Sequence, residues 1–179
     1  MRYDEIVQRR RNLRIDGFCN LADVGMEGDW VSPYQISSRS MTGPVLLAYN
    51  WLDAPSARLN QPILRQCGFL PGMAFNEVLE IALSKMLRRR RSDFYVTQAF
   101  QLLPTTRSQG ISARYLDISF DAVTKYELAG RKVIALGDAA ANACYRHGVK
   151  AISTCHPSAR GRSYEEKASA IALAIRSCL

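Results

Sequence analysis

The chain has 179 residues, of which 47% are hydrophobic and 22% are charged. This composition excludes a wholly disordered, a collagen-like or a coiled-coil chain, and the length suits one domain spanning residues 1–179. No apolar stretch approaches the roughly 18 residues that a membrane span needs, and the first residues are charged where a signal peptide would be apolar. We therefore expect no membrane association and a cytoplasmic location.

Positive charge predominates in this sequence. The 24 Lys and Arg residues against 16 Asp and Glu residues give a formal net charge of +8. A field of this sign over one small domain attracts polyanions, so nucleic acid is the expected partner. The basic runs at residues 9–11 and 88–91 are less specific, because basic residues at helix ends are commonly solvated.

The cysteines and the known cofactor motifs bound the possible chemistry. The five cysteines include no C-x-x-C pair, which argues against a disulfide framework and against a zinc ribbon. We expect reduced thiols. Because no P-loop and no H-E-x-x-H motif is present, we expect neither a metal nor an organic cofactor.

Short apolar runs alternate with helical patterns along the chain. The runs predict strands, buried on both faces, at residues 21–24, 94–100, 132–137 and 150–155. Residues 26–72 collect most of the Gly, Pro and Ser, and they predict long functional loops.

Helices are predicted from caps and apolar stripes. They are a helix capped by Asn76 with its last turn at 88–91, one with Leu116, Phe120 and Val123 on one face that ends at Gly130, a short one at 138–146, and a final one opened by the capping box Ser163-x-x-Glu166. Strands alternating with helices predict an α/β fold with a parallel sheet, whose ligands bind at the carboxyl ends of the strands.

Four segments at the predicted strand ends carry a family resemblance. They are VGMEGD (24–29), YVTQAFQLLPTTR (95–107), VIALGDAA (133–140) and CHPSAR (155–160). In this order and spacing they resemble the uracil-DNA glycosylase superfamily, over residues 20–162. The resemblance implies a three-layer α/β/α sandwich around a four-stranded parallel sheet. It also implies an enzyme that flips a nucleotide out of DNA and hydrolyses its N-glycosidic bond, leaving an abasic site.

Breaking that bond leaves positive charge on the sugar and negative charge on the base, so an acid and a hydrogen-bond donor are needed. In the family motifs G-x-D-P-Y and G-x-N-P-G, the third residue positions water or stabilises the sugar cation. Glu27 holds that place here, and Asp29 is the alternative if the loop is shifted. His156 matches the histidine that donates to the departing base. The simpler alternative is that both acids cap a helix or solvate a loop.

The resemblance also assigns a base pocket. Its expected residues are Gly25, Met26, Trp30, Tyr34, Val45 and Gln98. Gln98 stands where uracil-removing relatives read the base with asparagine, and a side-chain amide can read a uracil-like or a cytosine-like edge. Val45 stands where relatives commonly carry a stacking phenylalanine. Because valine cannot stack, Trp30 or Tyr34 is expected to do so, unless either belongs to the core.

Four residues are expected to contact DNA. They are Ser158, Arg160 and Arg162, which follow His156, and Arg107, which lies in the P-x-x-R stretch of the family. Extruding a base costs a few kcal/mol, and such backbone contacts offset it.

The departures at Glu27, Gln98 and Val45 widen the choice of substrate. The expected target is uracil or a modified pyrimidine, of which glucosylated 5-hydroxymethylcytosine of phage DNA is one, so either repair or anti-phage defence is the expected role. DNA, single- or double-stranded, is the expected partner, with no obligate protein partner. No lysine lies at these loops to form a Schiff base, which predicts a monofunctional enzyme. The alternatives are a non-catalytic nucleic-acid-binding module on the same fold and a small-nucleotide enzyme or binder.

Overall fold

The computed structural model describes residues 1–179 and contains six strands. They are β1 (Phe18–Cys19), β2 (Val45–Asn50), β3 (Tyr95–Phe100), β4 (Leu103–Pro104), β5 (Val133–Leu136) and β6 (Ala151–Thr154). Four of them form a parallel sheet in the order β3-β2-β5-β6, and β1 pairs with β4 in a short antiparallel ladder. The three predicted strands from residue 94 onward are thereby confirmed in position. The prediction that all are buried on both faces is wrong for β6, because it is an edge strand with Ile152 37% exposed.

The first strand of the parallel sheet is not where the sequence predicts it. Residues 21–24 do not form a strand; Ala22–Val24 is a 3-10 turn. Reciprocal side-chain bonds close this turn, since Asp23 accepts from the backbone of Asn20 at 2.7 Å and Asn20 accepts from that of Asp23 at 3.1 Å. The first strand of the parallel sheet is instead β2, which lies inside the stretch 26–72 that the sequence predicts to be loops.

Eight helices surround the sheet. They are α1 (Tyr3–Asn12), α2 (Ala54–Leu59), α3 (Gln61–Cys67), α4 (Ala74–Glu80), α5 (Ala113–Ser119), α6 (Lys125–Leu128), α7 (Asp138–Arg146) and α8 (Tyr164–Arg176). Wide π-helical segments continue α4 over Ile81–Met86 and join α5 to α6 over Phe120–Thr124. The predicted α7 is confirmed, and so is the capping box of α8, in which Ser163 and Glu166 exchange hydrogen bonds at 2.7 and 3.2 Å.

The beginning and end of α4 differ from the prediction. Met73, not Asn76, is the N-cap, and the Asn76 amide donates to the Leu70 carbonyl at 2.9 Å instead. The helical run ends before the basic residues, because Arg88 has a φ of 53°. A left-handed residue interrupts a right-handed helix, so 88–91 is not its last turn.

Apolar clusters cover both faces of the sheet. Alternate residues of β2 point to opposite sides: Leu46 packs in the cluster that includes α4 and α8, and Leu47 in the cluster that includes α1, α5 and α7. Both leucines are fully buried, and burying one such side chain contributes about 2 kcal/mol. The result is a layer of helices on each face of the sheet, a three-layer α/β/α arrangement. No helix is both long and apolar enough to cross a bilayer.

Candidate functional site

His156 lies two residues beyond the end of β6, at the carboxyl edge of the sheet. The backbone N–H of Ser158 donates to its Nδ1 at 3.1 Å. Because Nδ1 accepts, the proton of the neutral ring is carried by Nε2. Burial lowers the pKa of His156 below its usual value, and the charge of Lys167 lowers it further. The ring is therefore a neutral imidazole with one N–H to donate.

Gly137, which joins β5 to α7, holds the histidine closely. A Cβ placed on Gly137 would lie 2.8 Å from the Cβ of His156, nearer than side chains approach, and the φ of Gly137 is 97°. Its N–H donates to the carbonyl of Thr154 at 2.9 Å, which ties the ends of β5 and β6 together. Only glycine combines this close approach to His156 with a positive φ at no steric cost.

A cavity of about 310 Å³ opens beside His156. Its polar lining includes Asn50, which ends β2, Asp53, which precedes α2, and Arg107 and Gln109, which follow β4. Since β2 and β6 both run toward this edge, the two loops that carry Asn50 and His156 reach the same opening. The cavity therefore combines oxygen acceptors, an imidazole donor and a guanidinium.

Asn50 and Asp53 are absent from the predicted site. The side chain of Asn50 makes no hydrogen bond to the protein, so its amide oxygen is free to accept from a ligand or water. Asp53 caps α2 through Ser56, accepting from its N–H and from its hydroxyl, each at 2.8 Å. The signal for Asn50 is the apolar run Val45–Ala48 before it, which the surrounding Gly and Pro obscured.

An aromatic wall completes the cavity. Tyr34 lines it but is 4% exposed and belongs to the core, the alternative left open by the sequence; it stacks on Phe75 with a centroid separation of 5.9 Å and an interplanar angle of 26°. Phe75 in turn lies 5.6 Å from the ring of His156. Phe75 is not among the predicted residues; it stands in the first turn of α4, within Met-Ala-Phe-Asn.

Glu27 and Asp29 are held elsewhere by arginines. The buried Arg10 donates to Glu27 at 2.8 Å, and Arg11 donates to Glu27 at 3.0 Å and to Asp29 at 3.2 Å. Burial alone would raise the pKa of Glu27, but the hydrogen bonds from both arginines bring it below its usual value. Neither acid lines the cavity beside His156. The expectation that Glu27 or Asp29 faces His156 is therefore not met, because the ion pairs anchor α1 to this loop.

Four other predicted base contacts lie away from the cavity. Gly25 ends the 3-10 turn with a φ of 68°, and its carbonyl accepts from Gln61 at 3.0 Å. Met26 and Val45 are fully buried in the core, and Val45 begins β2, at the opposite edge of the sheet. The Trp30 ring packs against the core and lies directly over Gly28, where a Cβ would clash with it. It is therefore not positioned to stack on a ligand of His156.

Gln98 lies inside β3 rather than beyond its end. It pairs with Ala48 in the neighbouring strand and is 2% exposed. Its Oε1 is buried without a hydrogen-bond partner, an uncommon state for a polar atom that costs about 1–3 kcal/mol. The Gln98 side chain therefore has an acceptor oxygen, buried within the sheet, that no protein group uses.

The predicted DNA-contacting residues gather around His156. Arg107 lines the cavity described above, whereas Arg160 and Arg162 line a neighbouring cavity of about 450 Å³ that His156 also borders. Ser158 contributes its backbone N–H to the histidine. Cationic side chains therefore lie on both sides of the imidazole.

No group of three or more His, Cys, Asp or Glu side chains is placed to hold a metal ion. Comparison with known proteins finds no matching family model, no matching curated protein and no matching solved structure.

Proposed function

We propose that this protein is a monofunctional DNA glycosylase, which hydrolyses the N-glycosidic bond of a flipped-out nucleotide and leaves an abasic site. The observation that carries the proposal is the cavity shared by Asn50, Asp53 and His156, with Phe75 beside them. It offers acceptors on one wall and a neutral imidazole donor on another, the two groups that N-glycoside hydrolysis requires.

The proposed chemistry assigns a role to each group. The C1′–N bond breaks and its electron pair goes to the base, where the Nε2–H of His156 stabilises the negative charge. Asn50 Oδ1 accepts a hydrogen bond from a water whose oxygen bonds to C1′, and the carboxylate of Asp53 stabilises positive charge on the sugar. One water is consumed, and its second proton leaves on the released base or to solvent.

Asn50, rather than Glu27, is the proposed residue that positions the attacking water. In the resembling family the acceptor motif follows the first strand of the parallel sheet, and that strand is β2. Of the motif G-x-N-P-G, the segment 48–52 keeps only the asparagine, so the proposal for Asn50 rests on its place at the end of β2 and in the cavity lining.

The proposed substrate is uracil or a modified pyrimidine. Phe75 is the proposed surface for the base to stack on, with Tyr34 behind it. Glucosylated 5-hydroxymethylcytosine of phage DNA is the enlarged candidate, so anti-phage defence stands beside base-excision repair as the proposed role. Arg107, Arg160 and Arg162 supply positive charge for the DNA backbone around the opening.

The test is release of bases from DNA. Single-stranded and duplex DNA containing uracil, hypoxanthine or phage-type modified cytosines is incubated with the protein, and abasic sites are cleaved with alkali. The expected result is cleavage at one of these bases, reduced about 100-fold or more by His156→Ala and by Asn50→Ala in proteins that stay folded.

Two outcomes would overturn the proposal. One is survival of every substrate together with an absence of free bases, by mass spectrometry, after incubation with cellular and phage DNA. The other is cleavage that His156→Ala and Asn50→Ala leave unchanged. DNA binding without base release would instead support the non-catalytic module.

A further inference from the structure

The edge of the sheet opposite His156 carries a row of basic residues. In a parallel sheet the residues that precede the strands all lie at one edge. Arg89 lies shortly before β3, Arg131 and Lys132 directly precede β5, and Lys150 directly precedes β6. With the strand order β3-β2-β5-β6, these cations extend from one side of the sheet to the other.

Two adjoining cavities make this edge concave. The larger, of about 620 Å³, is lined by Arg89, Arg131 and Lys132 together with the loop before β2. The smaller, of about 390 Å³, is lined by Arg131, Lys132 and Lys150. The two cavities share Arg131 and Lys132 in their linings, and we call them together the amino-edge groove.

The four cationic side chains of the groove outnumber its one acidic side chain. None of its four cationic residues forms an ion pair. Arg131 donates to the carbonyls of Ser40 and Gly43 at 2.6 and 2.8 Å, which fixes its position but leaves its charge in place. The one acidic side chain in the lining, Asp93, accepts from a backbone N–H at 3.0 Å.

We propose that the amino-edge groove is a second nucleic-acid-binding surface, which takes the sugar–phosphate backbone of DNA or RNA without reading its sequence. Four strands about 4.8 Å apart place the row of cations over about 14 Å. That length matches about four phosphates along one strand of a duplex. A concave row of unpaired cations suits a strand of phosphates better than a flat membrane surface.

The groove and the cavity at His156 serve different nucleic-acid segments. They lie at opposite ends of the strands: Lys150 directly precedes β6 and His156 follows it, and this extended segment spans about 20 Å. A backbone lying in the groove is therefore not the stretch that carries the nucleotide at His156. This inference goes beyond the proposed glycosylase activity and does not depend on it.

The test uses a double variant, Arg89→Ser with Lys150→Ser. Both residues are exposed, and neither side chain is hydrogen-bonded to the protein, so the fold should be preserved. Binding of a fluorescein-labelled 20-nucleotide strand, as DNA, RNA or duplex, is followed by anisotropy at several salt concentrations. For single strands, the slope of log K against log[salt] should fall in magnitude by about 1.4, and affinity should drop at least tenfold at about 100 mM salt.

The control matched in charge is Arg9→Ser with Arg14→Ser, at exposed sites on and after α1. Because Arg14 donates to the Arg11 and Leu13 carbonyls, urea denaturation is used to verify that this variant stays folded. It should change affinity much less than the groove variant. Equal losses in the two variants would overturn the proposal, since net charge alone would then account for binding. Loss of binding to phosphatidylserine vesicles with nucleic-acid binding unchanged would also overturn it and assign the groove to membranes.

Base release separates this proposal from the previous one. The groove variant should still release the base from a short oligonucleotide. His156→Ala should bind nucleic acid with the same slope of log K against log[salt] as the parent protein. If no substrate is cleaved at all, the anisotropy comparison of the groove and control variants stands unaffected.

Discussion

Arg10 shows how one buried charge can decide the role of a nearby acid. Its guanidinium is 1% exposed and donates to Glu27, to the Gly28 carbonyl at 3.1 Å and to the Trp30 carbonyl at 2.7 Å. A buried guanidinium needs such acceptors, because an uncompensated charge in the interior is strongly unfavourable. Glu27 therefore belongs to the contact between α1 and the loop that follows β1.

Glu27→Gln separates a structural role for this acid from a catalytic one. We expect the variant to lose about 3 kcal/mol of unfolding free energy, because Arg10 is 1% exposed and keeps no charged partner once the carboxylate becomes a neutral amide. Glu27 itself is partly exposed, which keeps the loss at the lower end for a buried ion pair. Urea denaturation measures this loss, and the base-release rate should stay within about threefold of the parent. A stable but inactive Glu27→Gln protein would contradict this assignment and return the catalytic role to Glu27.

His156 and Asn50 differ in how visible they are in the sequence. His-Pro-Ser after a predicted strand identifies His156 directly, because both its neighbours and its position at a strand end are local features. Asn50 depends on recognising β2 from the apolar run Val45–Ala48, a local signal that the surrounding Gly and Pro residues obscure. Phe75 depends on how α4 packs against the sheet, which is not a local property.

At the scale of elements, the turn between β5 and α7 positions the imidazole. Gly137 contacts His156 so closely that any side chain on it would displace the ring or the backbone. The same turn begins α7, whose predicted bounds agree with the structure. Gly137 therefore fixes the position of His156 relative to the end of β5.

Gly137→Ala should reduce both stability and base release. The methyl group meets His156 at 2.8 Å, and the φ of 97° is unfavourable for alanine, so we expect a loss of about 2–4 kcal/mol and at least a tenfold slower reaction. Thermal denaturation and the release assay measure the two effects.

The control for this substitution is Gly148→Ala. Gly148 has a φ of 66° but no atom within 4 Å of its Cβ position. It should lose only about 1 kcal/mol to backbone strain and keep its base-release rate. Equal effects of the two alanines would show that strain alone, and not contact with His156, explains the loss at Gly137.

At the scale of the whole molecule, a buried carboxyl group connects segments that are distant in sequence. Glu127, in α6, accepts from Tyr95 at 2.6 Å and from Gln35, Thr97 and Gln101 at 3.0 Å each. These partners come from the loop before β2, from β3 and from the residue that follows β3. Burial raises the pKa of Glu127 to about 7, although the donors around it act in the opposite direction.

This raised pKa predicts how stability depends on pH. The unfolded chain releases the Glu127 proton near pH 4.5 and the folded chain near pH 7, so the folded state binds more protons between these values. Stability should therefore fall as the pH rises through this window, by about 3 kcal/mol from this group. Denaturation from pH 4.5 to 8 measures the slope.

Glu127→Gln should flatten that dependence, because the amide does not titrate. His156 contributes in the opposite sense: its lowered pKa makes stability rise with pH just below 6.5, and it is present in both proteins. The difference between parent and variant therefore isolates Glu127. Parallel pH profiles would contradict the assignment of a proton to Glu127 below pH 7.

Local patterns in the sequence were sufficient for the alternation of strands and helices from β3 onward, the capping box of α8 and the place of His156, since each depends on residues a few positions apart. The tertiary structure alone decided that β2 is the first parallel strand, that Asn50 and Asp53 rather than Glu27 border the histidine cavity, and that scattered cations line the opposite edge. The physical reason is that strand order and buried ion pairs depend on contacts between residues far apart in the chain. Only the folded chain brings Arg10 and Arg11 to Glu27 and leaves the side chain of Asn50 without a protein partner.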